Sequence, residues 1–140
     1  MNVLILGSGG REAALYKKLS ESRRISKLYA LPGNGGTQNN LPGNVADIDG
    51  IIQAVKENNI DFVVVGPEIP LCLGIVDRFA EALPNVKVFG PDREAARLEG
   101  SKVFSQKFMH ETGIPVASGI DCYDRESALA AISTHSLPVV

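Results

Sequence analysis

Cysteine is scarce in this chain of 140 residues: Cys72 and Cys122 are its two, far apart in sequence. They offer no C-x-x-C spacing for zinc or redox chemistry and too low a density for a secreted disulfide scaffold, so both are expected as buried free thiols. Histidine is as rare. His110 and His135 have no second histidine or carboxylate cluster at metal-ligand spacing, and both are expected at the surface. No serine–histidine pairing offers nucleophilic catalysis. No apolar run approaches the ~20 residues of a membrane span, and the opening MNVLIL leads straight into glycines instead of a signal-peptide core. A cytoplasmic protein without a membrane partner is the expectation. A basic run is missing too: 14 basic against 16 acidic residues leave a net charge of -2, which argues against a nucleic-acid partner. Repeats and low-complexity tracts are absent.

What is present is an alternation of apolar runs and helical patterns, in a chain whose 44% hydrophobic content suffices for one core and a small appendage. Asn2 to Leu6 reads as a strand, followed by a helix through Ala14, Leu15 and Leu19. Lys27 to Leu31 reads as a second strand. Asp47 is placed to cap a helix whose apolar positions Ile48, Ile51, Ile52 and Val55 share one face. Asp61 to Val65 is apolar on both faces, as the central strand of a sheet covered on both sides should be. Pro67 and Glu68 then open one helix running through Leu71, Ile75 and Phe79 to about Leu83, and Val86 to Phe89 forms a further strand. The pattern predicts an α/β fold: a Rossmann-like parallel sheet with helices on both faces.

Beyond this, Asp92 to Leu98 reads as a linking helix and Ser101 to Thr112 as another, with Phe104 and Phe108 as its buried stripe. Val116 to Cys122 is a candidate strand, Asp124 caps a helix through Ala128, Leu129 and Ile132, and Leu137 to Val140 starts another strand. About 40 residues are too few to close a core of their own, so the second unit reads as the start of a longer domain in a truncated enzyme.

Three loops end strands on one edge of the predicted sheet, where open α/β sheets bind ligands: Gly7 to Glu12, Gly33 to Thr37, and Gly66 to Glu68. They are expected to share one crevice. The first combines the N–H groups and positive end of a helix with Arg11, and so suits a phosphate or carboxylate; Glu68 is suited to an amine or sugar hydroxyls. The same glycines also fit a tight turn without a ligand, and Pro67 and Glu68 are ordinary first-turn residues. A dinucleotide fingerprint fits poorly. G-x-G-x-x-G needs glycine where this chain has Glu12, and the second strand ends in Leu31-Pro32-Gly33 without the ribose-binding acid.

Taken in order, G-S-G-G-R-E at 7 to 12, P-G-N-G-G-T at 32 to 37, V-V-G-P-E-I-P-L at 64 to 71, F-G-P at 89 to 91 and L-E-G-S-K at 98 to 102 resemble the N-terminal part of the glycinamide ribonucleotide synthetase family. The resemblance implies a pre-ATP-grasp domain at residues 1–99 and the incomplete beginning of an ATP-grasp domain at residues 100–140. It implies a ligase of purine biosynthesis whose substrates are phosphoribosylamine, glycine and ATP, used with Mg2+. ATP phosphorylates the glycine carboxylate, and the amine then attacks the glycyl phosphate to give glycinamide ribonucleotide, ADP and phosphate. Gly9, Gly10, Arg11, Glu12, Gly33, Asn34, Gly66, Pro67 and Glu68 are the implied substrate-binding residues, and Lys102 the one that reaches the ATP phosphates. No catalytic or metal-ligating residue is assigned, and these 140 residues alone are expected to be inactive. Ala13 departs from the family pattern, which continues G-R-E with histidine. Two alternatives stay open: a non-catalytic phosphometabolite-binding α/β module and a nicotinamide-dependent oxidoreductase domain.

Overall fold

A computed structural model describes residues 1–134, in two compact units, Met1–Gly100 and a second that begins at Ser101. His135 and the expected strand Leu137 to Val140 lie outside the described residues. The first unit runs β1 (Asn2–Gly7), α1 (Gly10–Ser20), β2 (Lys27–Pro32), α2 (Ile48–Glu57), β3 (Phe62–Val65), α3 (Glu68–Cys72), α4 (Ile75–Ala82), β4 (Lys87–Phe89) and α5 (Arg93–Gly100). Its four strands are parallel, in the order β2-β1-β3-β4.

Strand alternation explains how two apolar layers arise from one sheet. Val3 and Ile5 of β1 pack with Tyr16 of α1 and with Leu28, Ala30 and Val64. Leu4 and Leu6, pointing the other way, join Ile51, Ile52 and Val55 of α2, Ile75 and Phe79 of α4, and Val63 and Val65. Each inner strand is therefore buried on both faces, as its continuous apolar run requires. The expected α/β sheet with helices on both faces is what folds. Tyr16 carries a hydroxyl into its layer and donates it to the Leu28 carbonyl oxygen at 3.0 Å, so the buried polar atom is satisfied. Asp47 caps α2 as its position predicts, its Oδ1 accepting from the Gly50 N–H at 3.0 Å.

Sequence order reverses between β1 and β3. The chain steps outward from β1 to β2, returns across β1 to β3, and continues to β4, so the crossovers diverge there. A crevice opens at such a switch point, beyond the carboxyl ends of the two strands.

The single helix expected from Glu68 to about Leu83 is divided into α3 and α4. Gly74, at φ +84°, takes the left-handed conformation that side chains resist, and its N–H bonds back to the Leu71 carbonyl oxygen at 2.9 Å. The apolar spacing continues through the break, which is why the pattern hides it.

The second unit holds α6 (Lys102–Thr112) and α7 (Arg125–Thr134). Ser101 Oγ caps α6 by accepting from the Phe104 N–H at 3.3 Å, and Gly113, at φ +71°, closes it. Val116 to Cys122, expected as a strand, is irregular. A strand needs a ladder partner, and the second unit has no other strand among its described residues. Phe104 and Phe108 stack with ring centroids 6.5 Å apart, but Phe108 is exposed and no residue of α6 is buried, contrary to the expected apolar stripe. Both thiols are free, but the expectation of burial fails: Cys72 is half-buried and Cys122 exposed. His110 is at the surface. No helix among the described residues is long and apolar enough to cross a membrane.

Candidate functional site

The three predicted loops lie side by side at the carboxyl ends of β1, β2 and β3, the second and third each bonded to the end of β1. The Gly33 N–H donates to the Gly7 carbonyl oxygen and the Gly66 N–H to the Leu6 carbonyl oxygen, both at 3.1 Å. Because β1 lies between β2 and β3, its loop is the middle of the three and touches both neighbours.

Glu12 is the unexpected member. It is the one implied substrate-binding residue that is buried, at 4% exposed. The side chain folds back beneath the first loop, and Oε2 accepts from the Gly9 N–H at 2.7 Å. Gly9 has no side chain to return the bond, so this is one half of a capping box. Oε1 pairs with Arg11 Nε at 3.0 Å, which gives the buried charge a counter-ion. Glycine surrounds it. A Cβ on Gly7 would fall 2.6 Å from Glu12 Cγ and one on Gly9 2.8 Å from Oε2, while one on Gly66 would collide with Oε1. The carboxylate thus fills the floor of the switch-point crevice between the first and third loops. In a dinucleotide site that floor belongs to glycine, so a pyrophosphate here would meet a carboxylate and find the Gly9 N–H already taken.

Arg11 is exposed at 65% of its side chain and is held by Nε alone, leaving its two terminal nitrogens without an acceptor among the described residues. The N–H groups of Gly10 and Arg11, in the first turn of α1, also lack an acceptor there. Four donor nitrogens, two of them on the guanidinium and carrying its positive charge, are therefore left beside one buried negative charge, an arrangement able to hold a phosphoryl group.

The second loop follows a cis Leu31–Pro32 peptide and is stitched to the first by Asn34. Its Nδ2 donates to the carbonyl oxygens of Ser8 and Gly9, each at 2.9 Å, while Oδ1 accepts from the Gly36 N–H at 2.7 Å. Thr37 supports the turn from inside: Oγ1 accepts from the Asn34 N–H at 2.8 Å and donates to Asn40 Oδ1 at 2.7 Å. Sequence reasoning gave Thr37 only as the end of the loop and missed Asn40, although Asn-x-x-Thr spacing in a glycine-rich loop is a local turn signal.

Pro67 stands at the N-cap position of α3 without a capping bond, and Glu68 is the helix's first residue, exposed and without a partner among the described residues. Its carboxylate is free to accept from an amine or hydroxyls. Ala13 faces the second loop, with its Cβ 3.1 Å from where a Gly36 Cβ would stand, and it helps line a shallow groove of about 510 Å³ along α1 with Lys17 and Gln38. Lys102 belongs to the other unit, exposed at the start of α6. No group of three His, Cys, Asp or Glu residues able to hold a metal ion occurs among the described residues.

Comparison with known proteins agrees with this architecture. Residues 1–99 match the family described as phosphoribosylglycinamide synthetase, N domain. The whole chain aligns with phosphoribosylamine–glycine ligases, at 43% identity for that of Vibrio vulnificus strain YJ016, 43% for Listeria innocua and 44% for Allochromatium vinosum. It spans about a third of the length of these relatives: 33%, 34% and 33%. Among solved structures, the biotin carboxylase domain of a single-chain bacterial carboxylase superposes with a TM-score of 0.64 at 16% identity, over 95% of this chain and 34% of that one. The biotin carboxylase subunit of pyruvate carboxylase gives 0.58 at 18%, over 96% and 33%. These two likenesses are of fold alone. The match over residues 1–99 establishes that the chain belongs to the phosphoribosylglycinamide synthetase family, whose N domain it carries.

Proposed function

We propose that the chain is the N-terminal part of a phosphoribosylamine–glycine ligase, in which residues 1–99 form the pre-ATP-grasp domain and residues 100–140 begin the ATP-grasp domain. The complete ligase would join phosphoribosylamine and glycine in the cytoplasm, with ATP consumed, to give glycinamide ribonucleotide, ADP and phosphate. The observation that carries this is the coincidence of the family match with three neighbouring loops at the switch point of the sheet, the first of which touches both others.

Within that reading, the crevice formed by Gly9, Gly10, Arg11, Gly33, Asn34, Gly66, Pro67 and Glu68 takes the phosphoribosyl substrate. Gly10, Arg11 and the Arg11 guanidinium meet the phosphoryl group, and Glu68 accepts from the amine or the ribose hydroxyls. Glu12 acts from below as support. ATP supplies the phosphoryl group that activates the glycine carboxylate, and Lys102 is the residue of this chain suited to meet its phosphates. Magnesium finds no matching ligand cluster among the described residues, so no step is assigned to it here. The 140 residues alone are expected to bind without ligating.

Calorimetric titration of the chain with glycinamide ribonucleotide, magnesium-ATP and NAD tests the proposal. Weak ribonucleotide binding that falls about tenfold or more in Arg11→Ala, with NAD silent, is the expected result. Tight NAD binding, or ribonucleotide binding that ignores Arg11→Ala, would overturn it.

A further inference from the structure

We propose that Asn34 is a positioning residue for the phosphoryl-binding loop: it fixes the first loop from the second, so that Gly10 and Arg11 present their N–H groups to the ligand. The inference rests on the phosphoribosyl crevice proposed above. It concerns how that crevice is made ready, and Asn34 need not touch the ligand.

The argument follows the peptide planes. The Ser8–Gly9 peptide is held at both ends: Asn34 Nδ2 donates to its carbonyl oxygen at 2.9 Å, and its N–H donates to Glu12 Oε2 at 2.7 Å. It cannot rotate without breaking one of these bonds. The next peptide, Gly9–Gly10, has its carbonyl oxygen held by Asn34 Nδ2 at 2.9 Å and by the Ala13 N–H at 3.2 Å. In a trans peptide the N–H points opposite to the carbonyl. Fixing the Gly9 carbonyl toward Asn34 therefore turns the Gly10 N–H away from it, leaving that group free for a ligand. Ser8-Gly9-Gly10 would otherwise be among the most flexible sequences available, since glycine loses more backbone freedom on ordering than any other residue. A loop ordered in advance spares the ligand that loss, which is where a positioning residue contributes affinity.

Two substitutions separate this role from simple support of the second loop. Asn34→Asp keeps an oxygen to accept from the Gly36 N–H but removes the donors to Ser8 and Gly9, and Asn34→Ala removes both. If Asn34 only shaped its own turn, Gly9 and Gly10 would stay as ordered in the aspartate variant as in wild type, whatever its added charge does to phosphate affinity.

The test uses the 15N-labelled chain, with urea midpoints confirming that each variant is folded. Heteronuclear NOEs of Gly9 and Gly10 are read without ligand, and ribose 5-phosphate is the titrated probe. The expected result is loosening of both amides in both variants, with the ribose 5-phosphate Kd raised about tenfold. Amides as rigid as wild type in Asn34→Asp, or an unchanged Kd in that variant, would overturn the inference; Asn34→Asp decides if the alanine variant does not fold. Should ribose 5-phosphate leave the wild-type spectrum unmoved, the proposed crevice is wrong, and the amide mobilities alone then decide whether Asn34 orders the loop.

Discussion

The carboxylate of Glu12 occupies the space in which any side chain at Gly66 would have to begin. The two residues are distant in sequence and meet because β1 and β3 are neighbours at the switch point. An acid in the first turn of α1 thereby becomes the floor of a crevice, and the glycine after β3 is required by contact with it.

Gly66→Ala is expected to destabilise the fold by about 1–3 kcal/mol, the range for forcing an extra group into a packed site. No positive φ is recorded at Gly66, so the cost is steric and should shrink once Glu12 is shortened. The double variant Glu12→Ala/Gly66→Ala should be more stable than the sum of the single changes by about 1 kcal/mol, read from urea denaturation. Strict additivity would mean that the two residues do not meet.

Replacing Glu12 itself separates its two bonds. Glu12→Ala leaves the Gly9 N–H without its acceptor and is expected to cost about 1–3 kcal/mol. Glu12→Gln retains a carbonyl oxygen for that N–H and loses the ion pair, so it should cost less than alanine. Arg11 is mostly exposed and water can take over its solvation, which keeps the loss of the pair small. Denaturation midpoints in the order wild type, glutamine, alanine are the expected outcome; equal losses would show that the charge matters more than the cap.

Sequence periodicity conveyed the strands and α2 well, because Val63 to Val65 and the Ile51, Ile52, Val55 face are burial patterns that only a few arrangements satisfy. It failed where structure depends on something other than burial. Leu71, Ile75 and Phe79 keep helical spacing straight through the Gly74 break, and Val116 to Cys122 has strand composition in a unit with no other strand among its described residues. The site divides in the same way. Glycine clusters after apolar runs located all three loops, but the resemblance gave Glu12 and Asn34 only as substrate-binding residues and not as supports that hold the loops. That Glu12 turns inward and Asn34 reaches back to Ser8 follows from strand order, which periodicity does not encode.

The Gly74 break offers a stability test independent of the site. Gly74→Ala places a Cβ in the left-handed conformation and is expected to cost about 1–2 kcal/mol by thermal or urea unfolding. An alanine variant as stable as wild type would imply that α3 and α4 readily join into one helix.

In the second unit, the Asp124 carboxyl is held below its ordinary range, chiefly by the Ser127 N–H, which donates to Oδ1 at 2.7 Å. A carboxyl with a lowered folded-state pKa adds stability above its unfolded value near 3.8 and loses it as pH falls through the folded value. The start of α7 should therefore fray on acidification below about pH 4. Amide exchange at Ser127 should rise over that window in wild type, relative to the intrinsic rate, and be high at every pH in Asp124→Ala; a pH-independent wild type would contradict the assignment.

The central claim is that the phosphoribosyl group sits where the three loops meet. Titrating the 15N-labelled chain with glycinamide ribonucleotide and following every backbone amide tests this most directly. The account predicts saturable shifts concentrated at Gly10, Arg11, residues 33–36 and residues 66–68, with Gly9 changing little because its N–H is already bonded to Glu12. Shifts centred instead on the groove along α1 at Lys17 and Gln38, or on Lys102, would contradict it.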